Sequence, residues 1–173
     1  MTRQALLFVC LGNICRSPLA EAAFRVRAVD AGVDVQADSA GTGGWHICEP
    51  PDRRAQWTAL RHGADISHYR GRQVEPADFR RFSHIFALDL DNLAVLHRMK
   101  PVDATAKIGL LLDQVDGMEG QPVADPYYGP DEGFEETWHQ VDRAALALVA
   151  RLAGARLMSR MAARPATGAL GRL

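Results

Sequence analysis

The feature that most constrains this chain is an abrupt change of character near its N-terminus. An apolar run, Ala5-Leu6-Leu7-Phe8-Val9, stops at Cys10 and gives way to Leu11-Gly12-Asn13-Ile14-Cys15-Arg16-Ser17-Pro18. The run has the length and composition of a buried strand. Ser17-Pro18 reads as a helix N-cap followed by a proline in the first turn, where its missing N–H leaves no bond unmade. A strand therefore feeds a short loop, and the loop feeds a helix whose free N–H groups and positive dipole end face back onto it. Such a loop attracts an anion, and its own residues say which. Gly12 lets the backbone close around a ligand, while Asn13 tolerates a left-handed conformation and can brace the loop with its side chain. Arg16 offers a planar fork for two oxygens of one phosphate. Cys10 stands at the loop's base, where converging amides and a guanidinium favour the thiolate. A nucleophilic sulfur beneath a phosphate cradle implies phosphoryl transfer to sulfur. A merely structural cysteine, packed as a small hydrophobe, leaves Gly12, Asn13, Arg16 and the Ser-Pro pair unexplained.

The rest of the chain supplies the scaffold. Leu19, Ala22, Ala23 and Val26 recur on one helical face, predicting a helix to about Asp30. Val33 to Ala37 alternates as a short strand that delivers Asp38-Ser39 at its end. Thr42 to Asp52, rich in Gly and Pro and carrying Trp45, is a loop. Helices are expected from about Arg53 to His62, after Glu75-Pro76, from Leu90 to Met99, and from about Phe134 past Leu152. Ile85 to Leu88 and Ala106 to Leu112 complete a set of four strands. Strands separated by helices make a single α/β domain, a four-stranded parallel sheet with helices on both faces. Ligands in such sheets bind beyond the carboxyl ends of the strands. Cys10, Asp38-Ser39, Asp89 and Asp125 all fall at or after such ends.

Composition narrows the class. The 173 residues fit one domain with a substantial core. A formal net charge of −1 argues against nonspecific nucleic-acid binding as the main role. Three cysteines, Cys10, Cys15 and Cys48, make no disulfide framework of the secreted kind. The apolar run before the loop is too short for a signal peptide, and none approaches the roughly 20 residues that span a bilayer. A cytoplasmic protein with no membrane span is expected, and a monomer is favoured. Residues 151–173 carry Arg151, Arg156, Arg160, Arg164 and Arg172 without an acid. Residues 156–173 are therefore read as an Arg-rich extension beyond a domain of residues 1–155. Its start continues the last helix, and from Arg164 onward disorder is expected.

The string Val9-Cys10-Leu11-Gly12-Asn13-Ile14-Cys15-Arg16-Ser17-Pro18 closely resembles the signature of the low-molecular-weight protein tyrosine phosphatases. More than 100 residues later, Asp125-Pro126-Tyr127-Tyr128-Gly129 resembles that family's general-acid loop. The resemblance extends over about residues 3 to 155 and implies the same architecture. It implies hydrolysis of protein phosphotyrosine through a phosphocysteine on Cys10, with Leu11, Gly12, Asn13, Ile14, Cys15, Arg16 and Ser17 around the phosphate. It makes Asp125 the proton donor to the leaving oxygen, and then the base for the attacking water. Asn13, Ser39 and His68 match a hydrogen-bonded brace behind the loop. Asp89 and Asn92 match residues near the rim, although they could equally cap the following helix.

Several roles follow from the residues beside this resemblance. Ser17 can donate its hydroxyl to the Cys10 sulfur. Trp45, Tyr127 and Tyr128 are expected to wall a cleft that suits an upright phenyl phosphate and is too deep for phosphoserine. In the family the cysteine matching Cys15 can form a disulfide with the nucleophile and protect it; alternatively it is a small buried side chain. Cys10, Cys15 and a histidine match no common zinc spacing. No metal or organic cofactor is expected, because arginine and amides supply the positive charge. Two rival activities remain. Arsenate reductases of related fold relay oxidation through further cysteines, and this chain has none after Cys48. Protein-arginine phosphatases typically have threonine where this chain has Ile14. A catalytically idle phosphate-binding module would be expected to lose Cys10 or Asp125.

Overall fold

The computed structural model describes residues 4–162. Strand β1 (Ala5–Cys10) is its spine, with all six residues buried. It pairs in parallel with β2 (Gln36–Gly41) on one side and β3 (His84–Ala87) on the other, and β4 (Lys107–Leu110) lies beyond β3. The strand order is thus β2-β1-β3-β4. Helices α1 (Arg16–Asp30), α2 (Arg53–Arg61), α3 (Asp78–Arg81), α4 (Leu90–Met99) and α5 (Glu132–Ala162) connect and cover the sheet.

A strand's two-residue period divides β1 between two cores. Leu6, Phe8 and Cys10 join a core built with Leu19 and Phe24 of α1, Ala55 of α2, and Phe134 and Trp138 of α5. Ala5, Leu7 and Val9 face the other way, onto Phe79 of α3, Phe82 just after it and Leu96 of α4. Helices on both faces explain why β1 reads as an unbroken apolar run rather than an alternating one. The first half of α1 is buried well beyond its predicted stripe, taking in Ala20 and Phe24 as well. It lies between the sheet and α5, to which Arg27 is tied by a bidentate pair with Asp142 at 2.7 and 2.6 Å.

Three expectations need correction. The second strand is Gln36–Gly41, not Val33 to Ala37. Val33 instead closes α1: Gly32 turns left-handed at φ 63°, and the Val33 N–H bonds Ala28 O at 2.8 Å. Pairing with β1, which sets Cys10 opposite Gly41, makes a strand of the polar Asp38-Ser39-Ala40 segment in spite of its propensity. Ser39 thus sits within the strand rather than after it. At the fourth strand, residues Leu112–Gln114 form a 3-10 turn instead of extending β4. Ser17 does not cap α1, which begins at Arg16.

The first two strands build toward one edge of the sheet and the last two toward the other. The crevice between the carboxyl ends of β1 and β3 is therefore a topological switch point, where open α/β sheets bind ligands. Among the described residues no helix is long and apolar enough to cross a membrane. The seven residues 156–162 continue α5, and the expected irregular segment from Arg164 onward lies outside the described residues.

Candidate active site

β1 ends at Cys10, and the backbone wraps once before α1 begins. Asn13 adopts φ 57°, a left-handed conformation asparagine accepts better than most residues. The turn aims the Asn13 N–H at Cys10 Sγ, 3.3 Å away. The end of β2 presses on this wrap so closely that a Cβ on Gly41 would stand 2.7 Å from the Leu11 carbonyl oxygen. Only glycine fits there.

Ser17 is drawn under the loop instead of capping the helix. Its Oγ lies 3.0 Å from Cys10 Sγ, accepts from Asn13 Nδ2 at 2.9 Å and lies 3.3 Å from Ala40 O. The hydroxyl has one proton to give, to the sulfur or to the Ala40 carbonyl. Asn13 completes the brace through its Oδ1, which accepts the Arg72 N–H at 3.0 Å. Ser39 Oγ donates to Glu21 Oε2 at 2.7 Å, and Arg25 Nε holds Oε1 of the same carboxyl at 2.9 Å. Burial pushes the Glu21 carboxyl up, against the pull of Ser39 and Arg25. His68 lines the same polar pocket behind the loop, but it packs edge-on against Tyr69. Among the described residues it makes no hydrogen bond to Asn13 or Ser39.

Arg16 is buried, its side chain only 6% exposed, and a buried charge must be paired. Nη1 meets Asp89 Oδ2 at 2.6 Å and Nη2 meets Asp125 Oδ2 at 3.0 Å. Burial works against its charge, but Cys10, Asp125 and Asp89 outweigh that and hold the guanidinium above its usual value. Asp89 serves two ends: Oδ2 grips Arg16 while Oδ1 accepts the Asn92 N–H at 2.7 Å and caps α4. Its place just after β3 puts it across the switch point from Cys10.

Above the loop opens a cleft of ≈ 260 Å³ walled by Trp45, Tyr127 and Tyr128, with Ile14, His46 and Asp125 between them. The Tyr127 and Tyr128 rings meet edge-on at 4.8 Å, and both Trp45 and Tyr128 stand largely clear of the surface. Leu11 and Gly12 line the floor with Cys15, whose thiol is pushed far up by burial and by Asp52, Cys10 and Asp125. Cys15 therefore remains a neutral thiol at physiological pH. Cys10 and Cys15 are both free and buried, and Cys48 is free and exposed. Among the described residues no cluster of three or more His, Cys, Asp or Glu could hold a metal ion.

Two participants were not singled out from sequence. His46 packs over Gly12, where a Cβ would approach its ring to 3.2 Å, and its position beside Trp45 in a Gly-rich loop was the available signal. Arg54 ties the Asp125 loop to α2; nothing in a helix-start arginine announces that.

A thiol at the base of a backbone wrap, a buried arginine, and a carboxyl across an aromatic cleft make a site suited to a phosphate monoester. The family model for low molecular weight phosphotyrosine protein phosphatases matches residues 5–157, and the chain belongs to that family. It is 45% identical over 148 residues to a low molecular weight protein-tyrosine-phosphatase of Streptomyces coelicolor, covering 83% of this chain and 90% of that one. The solved structure of YfkJ from Bacillus subtilis superposes with a TM-score of 0.82 at 39% identity, covering 90% of this chain and 98% of that one. The structure of a Drosophila arginine phosphatase superposes at 0.79 with 32% identity, covering 84% and 96%.

Proposed function

We propose that this chain hydrolyses protein phosphotyrosine through a phosphocysteine on Cys10, with Asp125 as general acid and then general base. The observation that carries the reading is the convergence of Cys10, Arg16 and Asp125 on one aromatic-walled cleft. The Cys10 sulfur attacks phosphorus, the P–O bond to the phenol breaks, and the Asp125 proton goes to the departing oxygen. Arg16 and the loop amides hold the charge that spreads over the phosphoryl oxygens. Water then attacks the phosphocysteine, gives a proton to Asp125, and returns phosphate and thiolate, with Ser17 stabilising the sulfur as it leaves. A bound phosphate competes with Asp125 for Arg16 Nη2 and so frees the carboxyl for the leaving group. The catalytic domain in this reading is residues 1–155, cytoplasmic and monomeric; two free thiols at the heart of the site suit a reducing compartment.

Arginine phosphatase activity is the second reading, since one structural neighbour bears that name. Ile14 on the cleft favours an aryl ring over a polar guanidinium. Phosphotyrosine peptides are therefore expected to be preferred and phosphoarginine poorly used, with Ile14→Thr shifting the balance toward phosphoarginine. Asp125→Asn should lower kcat/KM for phosphotyrosine by roughly 10²–10⁴-fold, and by less for an aryl ester with a more acidic phenol. An equal loss across leaving groups removes Asp125 from the acid role, and efficient phosphoarginine hydrolysis by the wild type overturns the tyrosine assignment.

Redox protection belongs to the same proposal. Peroxide oxidises the Cys10 thiolate to a sulfenic acid; the Cys15 sulfur then displaces its oxygen as water, and an added thiol reduces the disulfide. Peptide mapping after mild peroxide should find Cys10 joined to Cys15, with activity restored by thiol. Cys15→Ala should be inactivated irreversibly, and full thiol rescue of that variant shows that Cys15 only packs.

A further inference from the structure

Resting on that reading of Asp125, we propose that Arg54 is a positioning residue that straps the acid loop to the phosphate loop, holding Asp125 at the distance its proton transfer requires. The acid loop, residues 124–130, is held at its start by α5, where Gln140 Oε1 accepts the Ala124 N–H at 2.9 Å and Thr137 Oγ1 donates to Ala124 O at 3.1 Å, and by the Asp125–Arg16 pair. It has no regular secondary structure, and Asp125, Tyr127, Tyr128 and Gly129 are all exposed. Within it, Asp125 Oδ1 accepts the Tyr127 N–H at 3.2 Å, and the Gly129 N–H bonds Pro126 O at 3.1 Å. Those bonds shape the turn, and the anchors at Ala124 and Asp125 do not reach Tyr127 or Gly129.

Arg54 places the far side of the turn. Its Nη2 donates to Tyr127 O at 3.0 Å and its Nη1 approaches Gly129 O at 3.4 Å, so one guanidinium holds two carbonyls of the turn. The same group lies 4.6 Å from the centre of the Phe134 ring and 5.9 Å from that of Tyr127. Its other edge is fixed by Asp52, with Nε to Oδ1 at 3.1 Å and Nη2 to Oδ2 at 3.0 Å. Burial opposes the charge on Asp52, but its bonds from Arg54 prevail and keep the carboxyl below its ordinary range. Asp52 in turn is built into the phosphate loop: its N–H donates to Ile14 O at 2.8 Å. It also caps α2 by accepting the Arg54 N–H at 2.8 Å. A continuous chain therefore runs from the Ile14 carbonyl through Asp52 and Arg54 to the Tyr127 and Gly129 carbonyls that follow Asp125. The guanidinium is the one link whose planar fork can face a carboxylate and two carbonyls at once.

A strap of this kind affects only steps that use the acid. Arg54→Gln should lower kcat/KM for phosphotyrosine roughly 10- to 10²-fold, the effect of misplacing a catalytic group by about 1 Å. The loss should shrink as the leaving phenol becomes more acidic, and inhibition by vanadate should be unchanged because the phosphate cradle is untouched. Arg54→Lys, which keeps the charge but not the fork, should show the same pattern and serves if Arg54→Gln does not fold. In an Asp125→Asn background the Arg54 effect should fall to about twofold or less, since two residues acting through one group are not additive. A loss equal for all leaving groups, weakened vanadate binding, or full additivity with Asp125→Asn overturns the strap. Asp125→Asn alone separates the two claims. If that variant lacks leaving-group dependence, the acid assignment fails and takes the strap with it; if it shows the dependence and Arg54 does not, the strap alone fails.

Discussion

Cys10→Ser is expected to fold, to bind phosphate or vanadate, and to hydrolyse aryl phosphates about 10⁶-fold more slowly than wild type, the scale on which losing a covalent nucleophile acts. Folding should survive because the substituted atom keeps its place at the end of a fully buried strand, with Ser17 Oγ and the Asn13 N–H still as neighbours. Chemistry should not, because a serine hydroxyl stays protonated at neutral pH and the groups converging here favour an anion rather than generate one. Steady-state hydrolysis of an aryl phosphate, with and without chelator, measures the loss. Near-normal turnover by the variant ends the phosphocysteine mechanism, and full inhibition of the wild type by chelator points to metal chemistry instead.

Arg16→Lys is the second large effect, a fall of roughly 10³–10⁵-fold in kcat/KM together with weak vanadate binding. Lysine preserves the charge but not the geometry. The guanidinium reaches Asp89 through one nitrogen and Asp125 through another. An ammonium on a flexible stem cannot face both and still present two parallel donors to a phosphate. If Asp89, the more buried of the two, loses its partner, stability falls as well as activity. Retention of most activity in Arg16→Lys refutes the cradle.

Legibility in the sequence followed the range of the interactions involved. The phosphate loop was readable because its determinants are consecutive: a strand end, a glycine, a left-handed asparagine and a helix start within ten residues make their own local structure. The alternation of strand-like runs with helical periodicity was sufficient for a parallel α/β sheet, although the second strand formed on a polar segment rather than on its apolar neighbour. Local signals failed where a residue had two claims on it. Ser17 looks like a cap by its neighbours, yet its hydroxyl belongs to Cys10 and Asn13. Asp89 looks like a cap and is one, while its second oxygen holds Arg16 from 73 residues away.

The sequence by itself determined the strand-loop-helix around Cys10 and the presence of a carboxyl beside two tyrosines, because each is written in adjacent residues. Only the tertiary structure decided that β1 and β3 would be neighbours, which brings Asp89 opposite Cys10, and that β2 would extend to Gly41, against the back of the loop. It alone made Arg54 a link between the Asp125 turn and the loop after Cys10. Strand order, register and a guanidinium spanning segments 75 residues apart depend on which surfaces are buried together. That is a property of the whole packed chain, and no stretch of sequence carries it alone.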